Sequence, residues 1–270
     1  MTTPSPEAAA REDGSVRAPA PVKSAERTLR LLEILGASPG AMPVTELHER
    51  TGYPRSSLHQ LLHTLVLSGW ASLSADGTRV AIGTRALVVG TSYLDRDGAL
   101  RHARRTLEEV RDATGYTTHY ARLDGADVIY LATREALDSR RAASRVGRQL
   151  PAGATALGKA LLAELTDAEV ATLLPDPLPR LTGSTAADLG VLTEQLAQVR
   201  ARGCAIEREE NTPGVACVGA VVPYRIPATD ALSCSIPLDR AAPEELERVG
   251  ELLQRSAAAL AAGLRATGVR

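Results

Sequence analysis

Between Pro54 and Leu67 the chain carries Arg55, Ser56, Ser57, His59, Gln60 and His63, all able to hydrogen-bond and none acidic. Interleaved with them, Leu58, Leu61, Leu62 and Leu65 fall at i, i+3, i+4 and i+7, the spacing of one buried helical stripe. Such a helix buries leucines on one side and presents donors and acceptors on the other. Arginine reads guanine edges, glutamine reads adenine edges, and an acid-free face tolerates the phosphate-lined major groove. The chemistry expected of these residues is recognition of DNA bases.

A polar helix face by itself is an ordinary solvated surface, so the flanking segments decide. Leu29, Leu32 and Leu35 stripe a first helix, Ser24 to Ala37. Thr45 is expected to cap a second helix ending at Gly52, and Thr51-Gly52-Tyr53 makes a tight turn into a third that starts at Pro54. Trp70–Leu73 and Arg79–Ile82 read as strands around Asp76-Gly77, a hairpin signal, with Arg79 at the tip to reach a phosphate. Helix, helix-turn-helix and wing together predict a winged helix-turn-helix over residues 22–83. The stretch 84–97 reads as a linker helix that breaks at Asp97-Gly98.

Composition bounds the rest. The 270 residues are 44% hydrophobic and 23% charged, with a net charge of −1, as for a globular chain with room for two cores. A basic surface must therefore be local. From Val22 to Gly90 seven Lys/Arg face five acids, with three histidines besides, which suits release from a short site rather than coating of DNA. There is no phenylalanine, so Leu, Val and Ala must fill the cores. Residues 1–21, rich in Pro, Ala and Ser and without an apolar run, read as a disordered tail and not a signal peptide. No apolar stretch approaches the ~18 residues that would span a bilayer, and a cytoplasmic location without membrane contact is expected. Cys204, Cys217 and Cys234 are odd in number and widely spaced, unlike a disulfide framework or metal clip.

From residue 98 onward, helix and strand patterns mix in the manner of an α+β sensor domain. A helix through Leu100, Ala103, Leu107 and Val110 precedes strands at Thr117–Leu123, Val128–Thr133 and Ala142–Val146. Helices follow at Ala156–Glu164, Asp167–Leu174 and Ala187–Arg202, then strands at Cys204–Glu207, Val215–Pro223 and Ala231–Ile236. A long helix from Pro243 to about Leu264 closes the chain.

Gly153-Ala-Thr-Ala-Leu-Gly158-Lys159 has the spacing of a phosphate-binding loop, but Ala160 stands where a Ser or Thr must hold magnesium. The segment reads instead as a helix capped by Thr155, whose N–H groups favour an anion; the plainer alternative is an ordinary capped helix with Lys159 in solvent. Neither a Gly-x-Ser-x-Gly elbow nor a His-Glu-x-x-His helix is present. His119 reads as structural, the Glu207, Glu209, Glu210 cluster lacks a nearby ligand histidine, and the Arg134–Arg148 run reads as a charged loop. No catalytic residue, metal site or cofactor is expected. An enzyme acting on a small metabolite through the second domain stays open as the alternative.

Three stretches resemble the IclR family of bacterial transcription regulators, over nearly the whole chain from Lys23 to about Leu264. They are Lys23–Arg27 with Thr51–Leu62, Arg145–Pro151 running into Thr155–Ala163, and Gly203–Asn211 with Gly214–Cys217. The resemblance implies a winged helix-turn-helix, a linker helix and a GAF-like effector-binding domain over 98–270. It further implies homodimers that pair into tetramers, a double-stranded DNA operator, and a small effector, often an organic acid. Matching positions place Leu150, Ala156, Leu157, Glu207, Val215, Cys217, Ser233 and Ser235 around that effector, beside the Thr155 cap. Where the family often has Arg before the Leu-Leu pair of the recognition helix, this chain has Gln60, which opens adenine readout. In the wing Val80 replaces a common Tyr.

Overall fold

A computed structural model of the chain describes residues 21–137 and 146–269. It divides into two units between Tyr93 and Leu94. The first contains α1 (Lys23–Ala37), β1 (Met42–Pro43), α2 (Val44–Thr51), α3 (Arg55–Leu67), β2 (Ala71–Leu73) and β3 (Arg79–Ile82), and it includes most of α4 (Thr84–Arg96). Leu31, Leu35, Leu47, Leu58, Leu62, Leu65 and Val80 form its core with Met42 and Ala71. Each fully buried leucine among them is worth about 1.5–3 kcal/mol over exposure. Leu61 is only partly buried, because the α3 stripe is narrower than its spacing implied.

Gly52 ends α2 with φ +63°, and its N–H bonds the His48 carbonyl at 2.8 Å. Only a residue without a Cβ enters this left-handed turn freely. Two helix starts differ from expectation. Pro43, not Thr45, is the N-cap of α2, without a side-chain cap bond; the β1 strand delivers the chain straight into the helix, and Val44 N–H bonds the Thr78 carbonyl. Pro54 is the N-cap of α3, whose first helical residue is Arg55. The two-residue β1, also unexpected, gives the wing sheet its third strand, in the order β1-β3-β2. At the hairpin tip Asp76 accepts from Ser74 Oγ, Thr78 Oγ1 and Thr78 N–H, which holds its carboxyl down at about 2.

The second unit begins at the end of α4 and continues with α5 (Gly98–Thr114), capped by the Asp97 side chain. Strands β4 (Thr117–Asp124), β5 (Asp127–Arg134), β6 (Gln149–Pro151), β7 (Ala205–Arg208), β8 (Val215–Val221) and β9 (Asp230–Pro237) form one sheet of order β6-β5-β4-β9-β8-β7. Every neighbouring pair is antiparallel. Helices α5 and α9 (Pro243–Ala266) cover one face through Leu100, Leu107, Val249, Leu253 and Leu264, packed on Tyr120, Val218 and Leu232. Helices α6 (Ala156–Leu162), α7 (Asp167–Leu173) and α8 (Leu189–Arg202) cover the other through Leu157, Leu161, Val170, Leu192 and Leu196, packed on Ala121, Tyr130 and Ala231. The architecture is α+β. The expected strand at Ala142–Val146 lies outside the described residues except for Val146, which is in a turn. The expected tail likewise lies outside them, apart from Pro21.

Candidate functional site

In the first unit, α3 exposes Arg55, Ser56, His59, Gln60 and His63 while Leu58, Leu62 and Leu65 point into the core. Its first turn contains no acid. Ser57 differs from its neighbours: it is half-buried, and its Oγ accepts from Arg27 Nη1 at 3.4 Å. Arg27 also lies over the Tyr53 ring at 5.0 Å, a cation–π contact that ties α1 to the turn before α3. A groove of about 600 Å³ runs beside the exposed face, lined by Arg55, His59 and His63 of α3, His48 and Glu49 of α2, and Gly77 of the wing. His48 Nδ1 is buried there with no hydrogen-bond partner among the described residues, a feature that no local pattern announces. Arg79 is exposed but turned back, its Nη2 donating to the Ala41 carbonyl. Val80, at the position where the family commonly has Tyr, is fully buried in the wing sheet.

In the second unit, cross-strand register assembles a polar rank. Glu207 lies opposite Cys217, Cys217 opposite Ser235, and Ser235 opposite Thr117. The next rank on the same face runs Gly219, Ser233, His119, Thr133. Residues two apart share a face, so Val215, Cys217, Ser233 and Ser235 all look the same way. Cys217 Sγ lies 3.5 Å from Ser235 Oγ, and its thiol also hydrogen-bonds the Glu207 carboxyl. Glu207 is buried, accepts from the Glu210 N–H at 2.9 Å, and has its pKa raised, chiefly by desolvation.

His119 belongs to this face and was not expected there. It is 1% exposed, with Nδ1 3.0 Å from Thr133 Oγ1 and Nε2 3.2 Å from Ser235 Oγ, and its ring meets Tyr130 edge-on. The sequence signal was available: His119 alternates with Thr117 and Ala121 on the face that β9 lines with serines.

Helix α6 closes the face from above. Thr155 caps it, accepting from Gly158 N–H at 2.9 Å. Its start rests on Gly219, where a Cβ would stand 2.6 Å from the Ala156 carbonyl oxygen. Thr155, Ala156 and Leu157 are therefore buried against the sheet. Leu150 joins the same apolar cluster as Leu157 from β6. The placement of Lys159 in solvent is corrected. All seven residues of α6 are buried, and Lys159 pairs with Glu210. Burial lowers its pKa against the opposing pull of Glu210. A helix apolar on every side is an interior helix, so a lysine within it must find a partner carboxylate. Of the arginine run, Arg134 pairs with Glu108 at 2.7 Å, while Arg140, Arg141 and Arg145 lie outside the described residues. Cys204 and Cys234 are buried free thiols, the latter pushed up to about 12 by burial.

A winged helix-turn-helix with an acid-free recognition face, joined through one helix to an α+β unit with a polar-lined sheet face, is the architecture of a DNA-binding regulator. The chain belongs to the IclR family of bacterial transcriptional regulators. The family's IclR helix-turn-helix domain matches residues 24–73, and the bacterial transcriptional regulator IclR C-terminal domain matches residues 91–262. The HTH-type transcriptional regulator XynR of Escherichia coli (strain K12) is 33% identical over 245 residues, 90% of this chain and 97% of that protein. An IclR transcriptional regulator from Alicyclobacillus acidocaldarius superposes with TM-score 0.77 at 26% identity, covering 90% of this chain and 99% of its own. An IclR homolog from Microbacterium hydrocarbonoxydans, solved in complex with 4-hydroxybenzoate, superposes with TM-score 0.72 at 25% identity over 90% and 99% of the two chains. Among the described residues no helix is long and apolar enough to cross a membrane.

Proposed function

We propose that this regulator binds a specific operator through Arg55, Ser56, His59, Gln60 and His63 of α3, with Arg79 and the wing alongside. A small catabolic metabolite, an organic acid or sugar-derived acid, modulates that binding from the sensing face of the second unit. The observation that carries the reading is the polar rank of Glu207, Cys217 and Ser235, with Ser233 in the rank beside it. It interrupts a sheet face otherwise packed against apolar helices. Hydroxyls and a buried carboxyl aligned this way suit a ligand with both carboxylate and hydroxyl oxygens. Leu150, Leu157 and Val215 exclude water, and the capped start of α6 at Thr155 and Ala156 contributes its positive dipole end. The 4-hydroxybenzoate bound by the Microbacterium relative, a hydroxylated carboxylate, supports this ligand class.

The regulator acts as a homodimer, and dimers pair into tetramers. Helix α4 supports self-association: it buries no residue and exposes Leu87, Val88, Val89 and Tyr93. A dimer requires a roughly palindromic operator with half-sites one turn, or a multiple of one turn, apart.

The test is a thermal-shift screen of catabolic carboxylates on the full chain, each hit then titrated into a complex with the promoter duplex upstream of its own gene. A carboxylate that raises the melting temperature and changes duplex affinity is the expected result. Release of a chemical product from a hit, without any change in DNA affinity, would overturn the reading in favour of an enzyme.

A further inference from the structure

We infer that Arg122 is a positioning residue that ties the junction of α4 and α5 to the two strands flooring the sensing face, so that occupancy of that face is reported at the junction. This rests on the reading of that face as the effector site. A single residue, Asp97, separates α4 from α5. Its Oδ1 accepts from the Ala99 and Leu100 N–H groups, each at 3.0 Å, capping α5. Its Oδ2 takes Arg122 Nη1 at 2.7 Å. The other two nitrogens of Arg122 go to Asp230, Nε to Oδ1 at 2.5 Å and Nη2 to Oδ2 at 2.9 Å. Asp230 is fully buried and also accepts from the hydroxyls of Tyr120 and Tyr224. A guanidinium engaged at all three nitrogens, two of them in a fork on one carboxylate, has a fixed orientation that an ammonium could not reproduce.

The position of this clamp gives it a role beyond bracing. Arg122 and Asp230 face each other across β4 and β9. Three residues along the same strands, the His119–Ser233 pair faces each other too. An odd offset puts the two pairs on opposite faces of the sheet. A ligand wedged against His119, Ser233 and Ser235 therefore shears the rungs that hold Arg122, and Arg122 holds Asp97. Helix α5 is anchored separately, with Ala99, Leu100, Ala103, Leu107 and Val110 in the core. Loosening the clamp therefore leaves the apolar seating of α5 in place and frees the junction. Clamp, junction and sensing face all lie within the second unit, and α4 is its covalent connection to the DNA-binding unit.

The test is a double-mutant cycle on the full chain, read by hydrogen exchange of amides 94–101 and by affinity for the promoter duplex. Asp97→Ser keeps a capping oxygen but is too short to reach Arg122, and Arg122→Lys breaks the fork from the other side. Ser235→Leu fills the sensing face without any ligand, with Cys217→Met as the second perturbation should that variant not fold. In the wild-type background the filled face is expected to change junction exchange and duplex affinity by about threefold or more. In either clamp variant both effects should fall below about twofold, the range within which independent sites add. Equal effects in both backgrounds, or no effect at amides 94–101 in any background, overturn the proposal. Because the cycle uses no ligand, its failure leaves the effector reading standing; a carboxylate screen without a hit overturns that reading and not the clamp. Where the duplex does not bind, the exchange data decide.

Discussion

Replacing Gly219 by alanine should unseat α6 from the sheet. Gly219 lies in ordinary strand backbone within β8, so the substitution introduces no conformational strain of its own, and its whole effect comes from one methyl group. That Cβ would stand 2.6 Å from the Ala156 oxygen, 2.7 Å from the Ala156 carbonyl carbon and 3.1 Å from the Leu157 nitrogen. Favourable contact begins near 3.5 Å, so the helix start must retreat by about 1 Å. All three atoms are backbone, and no side chain can swing aside to absorb the displacement. Overpacking of this kind costs about 1–3 kcal/mol. At about 2–4 °C per kcal/mol for a unit of this size, the melting temperature of the second unit should fall by about 2–12 °C. Effector response should fall with it, since Ala156 and Leu157 wall the proposed sensing face, while promoter binding by the first unit at 20 °C is retained. Differential scanning calorimetry with a parallel duplex titration measures both. A transition within about 1 °C of wild type, with undiminished effector response, would refute the seating of α6 as the wall of the site.

Two other outcomes follow from the buried charges. Lys159→Met leaves Glu210 buried without its ammonium partner; the second unit should lose about 3–5 kcal/mol in urea denaturation, and a loss below about 1 kcal/mol would contradict a buried ion pair. Glu207 has its folded pKa raised by burial, so the folded state holds that proton more tightly than the unfolded chain. Its contribution is therefore fully present below the unfolded value of about 4.3 and is lost as pH rises through the folded pKa. Glu207→Gln should flatten that part of the stability–pH curve, and identical slopes in the two proteins would count against the assignment.

Much of this molecule is written in local patterns. The α3 stripe, the Gly52 turn, the Asp97 break and the Thr155 cap each rest on a few neighbouring residues. What escaped is non-local or brief. Strand β1 is two residues long and exists only because β3 pairs with it. Strand β6 ends in Pro151, a residue that argues against a strand unless the strand is an edge, which β6 is. His119 gains its place from Ser235, far along the chain, and Lys159 from Glu210; pairings at that separation leave no periodic trace. The resemblance of motifs gathered Glu207, Cys217, Ser233 and Ser235 as one set, and strand register gives the physical reason they share a face.

Whether α3 reads DNA sequence is decided by fluorescence anisotropy on a panel of single-base-substituted promoter duplexes. Wild type should bind with salt-sensitive affinity and discriminate among the duplexes. Gln60→Ala, its fold checked by circular dichroism, should lose about 1–3 kcal/mol of discrimination at one base of each half-site, and Arg55→Ala should lose affinity or discrimination of its own. Folded Gln60→Ala and Arg55→Ala proteins that keep wild-type affinity and specificity across the whole panel would contradict the claim.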